Sequence, residues 1–232
     1  MSRDRAWRLR FGSSFPGTAG RSRLGRPQAS CTFCGDFWHS QKHIRALSPT
    51  SVVGDERVRL FCALPLPADA VETLVCWQEE QLSGVAGARL VGRENLHVTL
   101  AFLGSTPADR VDEVVGSLGE AARGVKGRIV LRVREYRETR SVGMLVFEDE
   151  GGRAAGLAGG LQARLEALSL YRPEKRAWLA HLTVLRFRAR PRVKPPLPDL
   201  GRVSPSEAAL YHSVLRPGGA QHVTVESVVL GG

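Results

Sequence analysis

Two tetrapeptides, His97-Val98-Thr99-Leu100 and His181-Leu182-Thr183-Val184, decide how this chain is read. Each has the form His-x-Thr-apolar inside a run of strand-forming residues. Side chains alternate faces along a strand, so a His and a Thr two apart share a face, while Val98/Leu100 and Leu182/Val184 point into a core. Two such strands facing each other would bring together two imidazoles and two hydroxyls. That constellation suits metal-free acid–base chemistry on a phosphate ester.

Working outward, Arg57–Leu64 alternates loosely and stops at Pro65, which predicts a first strand. Ala70, Val71, Leu74, Val75 and Leu82 recur at helical spacing, predicting a helix over 68–82. A short strand over 88–91 precedes the His97 strand, which is expected to close at Gly104. Thr106-Pro107 reads as a helix start with Pro at the first position, followed by an apolar face of Val111, Val114, Val115 and Leu118. Strands are predicted over 127–136 and 142–147, then a helix over 154–170 with Leu157, Leu161, Leu165 and Leu168 as its stripe. After the His181 strand and a Pro-rich loop, segments 207–215 and 221–230 flank Arg216-Pro217-Gly218-Gly219, a hairpin signal. Strand, helix and His-x-Thr strand thus occur twice. The expected fold is α+β: a duplicated, bilobal unit whose two antiparallel-dominated sheets line a central cleft, with helices outside.

The pattern has a third copy, His222-Val223-Thr224-Val225. It follows a hairpin rather than a helix, so it does not occupy the duplicated position. A surface role is expected for His222, and a structural one for His212.

The chain has 232 residues, 43% of them hydrophobic, which is ordinary for a globular protein. No apolar run is long enough for a membrane helix. The formal charge is +10, but residues 1–50 hold nine Lys/Arg against Asp4 and Asp36, leaving only +3 for the rest. Four cysteines do not make a disulfide framework and fit a reducing cytoplasm. Residues 1–54 read as a disordered basic extension and 55–232 as the folded domain. For the extension three readings stay open: a flexible tail, arising even from translation upstream of the true start; an Arg- and Ser-rich transit peptide; or a zinc site of Cys31, Cys34, His39 and His43, whose spacing is off the knuckle pattern by one ligand type and one residue.

The folded part resembles the 2H phosphoesterase superfamily and, more narrowly, the bacterial RNA 2′,3′-cyclic phosphodiesterases, also called 2′-5′ RNA ligases or LigT-like proteins. The resemblance spans about residues 57–230. It rests on Arg59-Leu60-Phe61-Cys62-Ala63-Leu64-Pro65, on Glu94-Asn95-Leu96-His97-Val98-Thr99-Leu100-Ala101-Phe102-Leu103-Gly104, and on His181-Leu182-Thr183-Val184-Leu185-Arg186. One departure is Ala180, where the family usually has Pro; nothing in the family corresponds to residues 1–50.

The resemblance implies His97 as proton donor to a leaving 3′-oxygen, His181 as the base that activates water, Thr99 and Thr183 as phosphate donors, and a 2′-phosphate product. The reverse reaction would join a cyclic end to a 5′-hydroxyl. Arg186 is a candidate phosphate contact, but strand parity puts it opposite His181 and Thr183, so that role requires a strand end or a bulge. Arg93, Arg140 and Phe61 are candidate cleft residues. No cofactor and no metal is expected in the cleft, so activity should resist EDTA. The expected partner is RNA or an oligonucleotide with a 2′,3′-cyclic phosphate end, with no membrane and a monomeric protein. Alternatives are a non-catalytic RNA-end-binding module, or a 2H phosphodiesterase acting on 2′-5′ oligonucleotides or another cyclic phosphate.

Overall fold

The computed structural model describes residues 56–216 and 219–231. The expected tail, transit peptide and zinc site (Cys31, Cys34, His39, His43) lie outside the described residues. Eight strands and three α-helices follow in the order β1 (Arg57–Pro65), α1 (Ala68–Leu82), β2 (Ala88–Leu90), β3 (His97–Pro107), α2 (Val111–Arg123), β4 (Leu131–Glu138), β5 (Val142–Asp149), α3 (Arg153–Ala167), β6 (His181–Phe187), β7 (Glu207–Arg216) and β8 (Gly219–Val229).

The helices form where apolar residues recur every three or four positions. Ala70, Val71, Leu74, Trp77 and Leu82 bury one face of α1, and Leu157, Leu161 and Leu165 do the same for α3. The Asp69 carboxylate accepts from the Ala70 N–H at 2.9 Å, and Asp149 accepts from the N–H groups of Ala154 and Ala155, so acidic side chains hold both helix starts. Each fully buried leucine contributes about 1.5–3 kcal/mol, and Leu74, Leu161 and Leu165 are all at 0% exposure.

The strands form one antiparallel sheet in the order β4-β5-β6-β3-β1-β7-β8, with β2 also pairing β6. The two expected sheets are its two lobes, β4-β5-β6 and β3-β1-β7-β8. They meet at a single registered pair, Val98 with Leu182. Both residues are fully buried, so the seam is anchored by core packing rather than by a long ladder.

Two boundaries differ from expectation for a common reason. The His97 strand does not close at Gly104, and Pro107 does not open a helix. Thr106 and Pro107 stay paired with Val58 and Arg57, and the Ala108 N–H donates to the Glu56 carbonyl at 2.9 Å. Leu103 is an extra residue opposite β1, and Gly104, at φ +71°, supplies the backbone freedom for that bulge. The chain then makes a single 3₁₀ turn before α2 begins at Val111. Among the described residues no helix is long and apolar enough to cross a membrane.

Candidate active site

The seam places the two motifs side by side. Val98 sits opposite Leu182 in an antiparallel pair, so by register His97 stands across from Thr183 and Thr99 across from His181, all four on the face away from the core. Val98, Leu100, Leu182 and Val184 are buried beneath them. The four polar side chains line one cavity of about 850 Å³.

The two motifs are held alike. The His181 ring bonds through Nδ1 to the Leu179 carbonyl at 2.8 Å, and the His97 ring bonds to the Asn95 backbone; each partner lies two residues before its histidine. With Nδ1–H donating, a neutral ring keeps Nε2 as its acceptor. Both strands bulge immediately after the threonine: Leu100 is extra opposite β1, and Val184 is extra opposite β5. Each bulge leaves a carbonyl to satisfy, and a glutamine from a helix does so. Gln162 of α3 donates to Leu100 O at 2.7 Å, and Gln78 of α1 donates to Val184 O at 2.7 Å and to Val91 O at 3.1 Å. The helices are exchanged: α1 braces the second motif and α3 the first. Glutamines, histidines, threonines and bulges all recur 84 residues apart.

The bulges also re-aim the following residues. Arg186 comes round to the face of His181 and Thr183 and lines the cavity, which meets the requirement that parity alone denied it. Its counterpart 84 residues earlier is Phe102, 47% exposed in the same cavity, with the Arg59 guanidinium 4.9 Å from its ring centre. Phe61 lines the cavity as expected. Arg93 and Arg140 are not among its lining residues; Arg93 instead pairs with Glu72 at 2.5 Å. Ala180, in place of the usual Pro, is buried, and its carbonyl accepts from Phe147 N at 2.9 Å, so sheet pairing holds the strand entry.

His222 is a correction. It is not a surface residue: it lines the cavity, with its ring centre 4.7 Å from Phe61 and 5.4 Å from His97. A flat edge strand shows one face to water. Instead β8 carries its own bulge, Val225, opposite Tyr211, and β7-β8 curls so that His222 packs over β1. Phe61, His97 and Tyr211 form a compact triad of near-parallel rings, with centres 4.9, 5.0 and 6.0 Å apart. His97 is consequently far less wet than a surface histidine. Burial, reinforced by the neighbouring His222, Arg186 and His181, pushes its pKa down to about 4 against a weaker upward pull from Asn95. The pKa of His222 is also lowered, by burial and then by Arg186.

Arg59, Arg89, Arg186 and Arg216 line the cavity together, with Glu94 as its acidic member. Among the described residues no group of three or more His, Cys, Asp or Glu is arranged to hold a metal ion. The arrangement can bind an anion, offer two imidazole nitrogens on opposite sides of it, and donate two hydroxyls between them. The sequence alone assigns no site role to the cavity residues Arg59, Arg89, Phe102 and Arg216, and gives His222 a surface one. Nor does it single out the bracing Gln78 and Gln162, although their 84-residue spacing is there to be found.

Residues 64–135 match the model of the LigT-like phosphoesterases. The chain is 44% identical over 55 residues, 24% of its own length and 31% of the relative's, to the RNA 2′,3′-cyclic phosphodiesterase of Escherichia coli K12. It is 28% identical over 172 residues to the protein of the same name from Archaeoglobus fulgidus, covering 70% of this chain and 94% of that one. Among solved structures, E. coli LigT complexed with 3′-AMP superposes with a TM-score of 0.65 at 27% identity, covering 76% of this chain and 100% of that one. The sequence match to the E. coli enzyme thus spans about a third of that protein, whereas the structural match spans all of LigT.

Proposed function

Because the chain belongs to the LigT-like 2H phosphoesterases, we propose that it hydrolyses RNA 2′,3′-cyclic phosphate ends to 2′-phosphomonoesters with its two histidines as acid and base. The observation that carries this reading is the seam itself: two His-Thr pairs related by one residue pair, Val98 and Leu182, at the floor of an arginine-lined cavity.

The reaction needs few parts. A water attacks phosphorus in line and gives its proton to His181 Nε2, the atom left as acceptor by the Leu179 bond. The bond from phosphorus to the 3′-oxygen breaks, and that oxygen takes a proton from His97. Thr99 and Thr183 donate to the non-bridging oxygens, where charge grows in the transition state. Run backwards, with a 5′-hydroxyl in place of water, the same groups form a 2′-5′ linkage.

In the free site His97 is neutral near pH 7, since its pKa lies at about 4. As donor it takes up its proton together with the substrate. Burial is the main cause of the low pKa, and the phosphate anion offsets the further depression from the neighbouring Arg186 guanidinium. Binding of a non-hydrolysable phosphate analogue is therefore expected to take up a proton and to tighten as pH falls from 7 towards 5. Calorimetry in two buffers of different ionisation enthalpy measures this directly, and binding with no proton uptake contradicts the donor role.

The test of the function is turnover of an oligoribonucleotide ending in a 2′,3′-cyclic phosphate, with the product resolved as 2′- or 3′-phosphate. A 2′-phosphate from wild type, lost in both His97→Ala and His181→Ala, is expected. A 3′-phosphate, or full activity in either variant, overturns the proposal.

A further inference from the structure

The second motif runs directly into Arg186-Phe187-Arg188-Ala189-Arg190-Pro191-Arg192-Val193-Lys194, with a cation at every second position. All five cations are exposed. Charge is balanced elsewhere: residues 51–232 carry a net +3 with these five cations included, so five positive charges in nine residues is a strong local concentration.

The stretch joins two cavities. Arg186 lines the catalytic cavity. Arg190, Arg192 and Lys194, joined by Arg137, line a second groove of about 430 Å³. Arg186, Arg188, Arg192 and Lys194 form no ion pair among the described residues, so their charges are not spent on holding the fold.

The segment is also built, not loose. Glu138, at the end of β4, is a carboxylate with its side chain only 2% exposed. It accepts from Arg190 Nε at 3.0 Å and from the N–H groups of Arg192 and Val193 at 3.0 and 2.9 Å. Arg192 adopts φ +58°, a conformation a non-glycine residue keeps only when its surroundings impose it. A buried carboxylate that fixes a strained, cation-bearing segment preorganises those cations for an anion.

We propose that residues 188–194 form a phosphate-binding rail for the RNA strand upstream of the cyclic end, leading out of the cleft from Arg186. This rests on the function proposed above for its choice of RNA. The rail reads backbone charge and not bases. It makes the enzyme prefer oligonucleotides to the minimal cyclic nucleotide.

The test compares wild type with R188Q/R192Q/K194Q, which leaves Arg190 on Glu138 and the catalytic groups untouched; thermal melting checks that the fold is kept. Two substrates are used: a nucleoside 2′,3′-cyclic phosphate, and a single-stranded RNA of about twelve nucleotides, within the usual site range, ending in the cyclic phosphate. The variant should match wild type on the mononucleotide and lose oligonucleotide kcat/KM. Fluorescence anisotropy with the same RNA ending in a 3′-hydroxyl reads binding without chemistry. Removing three phosphate contacts should lower the salt slope by about 2, so that between 50 and 200 mM salt wild type loses about 20-fold more affinity than the variant. An unchanged salt slope, or equal losses on both substrates, overturns the rail. If wild type turns over neither substrate, the proposed function fails, and the anisotropy comparison still decides the rail.

Discussion

The half of the molecule built from β1, α1 and β3 and the half built from β5, α3 and β6 carry the same skeleton: a glutamine on the helix, a backbone-tethered histidine, a threonine and a one-residue bulge, each repeated 84 residues on. They differ in what stands around the histidine. His97 is enclosed by Phe61 of β1 and by Tyr211 and His222 of the added β7-β8 hairpin, and two residues past its bulge stands Phe102. His181 has no such enclosure among the described ring contacts, and two residues past its bulge stands Arg186. The shared skeleton sets positions. The unshared surroundings set protonation and charge, which in the proposed reaction is what would let two copies of one motif take opposite halves of the acid–base work.

The comparison breaks most readily at the histidines. His97→Ala and His181→Ala should each lower kcat/KM by about 10²–10⁴-fold, the usual worth of a positioned acid or base. A steady-state assay in which only one of them matters would dissolve the symmetry. Next come the threonines. Thr99→Val and Thr183→Val should each lower kcat by about 10²–10³-fold as lost oxyanion donors, and a large inequality between them would show that one half alone holds the phosphoryl oxygens.

Smaller effects are expected at the braces. Gln162→Leu strips the bulge carbonyl of Leu100 of its side-chain donor, and Gln78→Leu strips Val91 O of its own while Val184 O keeps the Val91 N–H at 3.0 Å. Each should lose about 1–3 kcal/mol of stability in chemical denaturation, by similar amounts. A further effect, spread over a pH window, is a titration. A folded-state pKa of about 4 for His97, against 6.5 for the free side chain, means that the native state resists protonation more than the unfolded chain does. Its contribution to stability is therefore lost as pH falls from about 6.5 to about 4. His97→Asn should flatten the pH dependence of the melting temperature in that window. His222→Ala removes a like charge and part of the enclosure, so the His97 ring should titrate at higher pH by NMR.

Much of this was legible in the sequence because it depends on local pattern. The bounds of α1 follow from Ala70, Val71, Leu74 and Leu82, and the start of β6 at His181 follows from alternation. The site histidines and threonines follow from parity on a repeated unit. What parity could not supply was its own interruption. A bulge at Val184 reverses the face of Arg186, and its cause, an opposing register on β5 with a glutamine donor from α1, lies far away in sequence. His222 was misplaced for a similar reason: an edge strand faces water only if the sheet is flat, and β7-β8 curls. Pro107 stayed in β3 because long-range pairing with Arg57 outweighed a local helix signal.

The most direct test of the central claim, that the two halves divide acid from base, uses a cyclic phosphate in which sulfur replaces the bridging 3′-oxygen. A thiol leaves without needing a proton, its ordinary pKa being about 8.5. His97→Ala should regain near-wild-type turnover on this substrate while His181→Ala stays inactive. Rescue of His181→Ala instead, or of neither variant, would contradict the assignment.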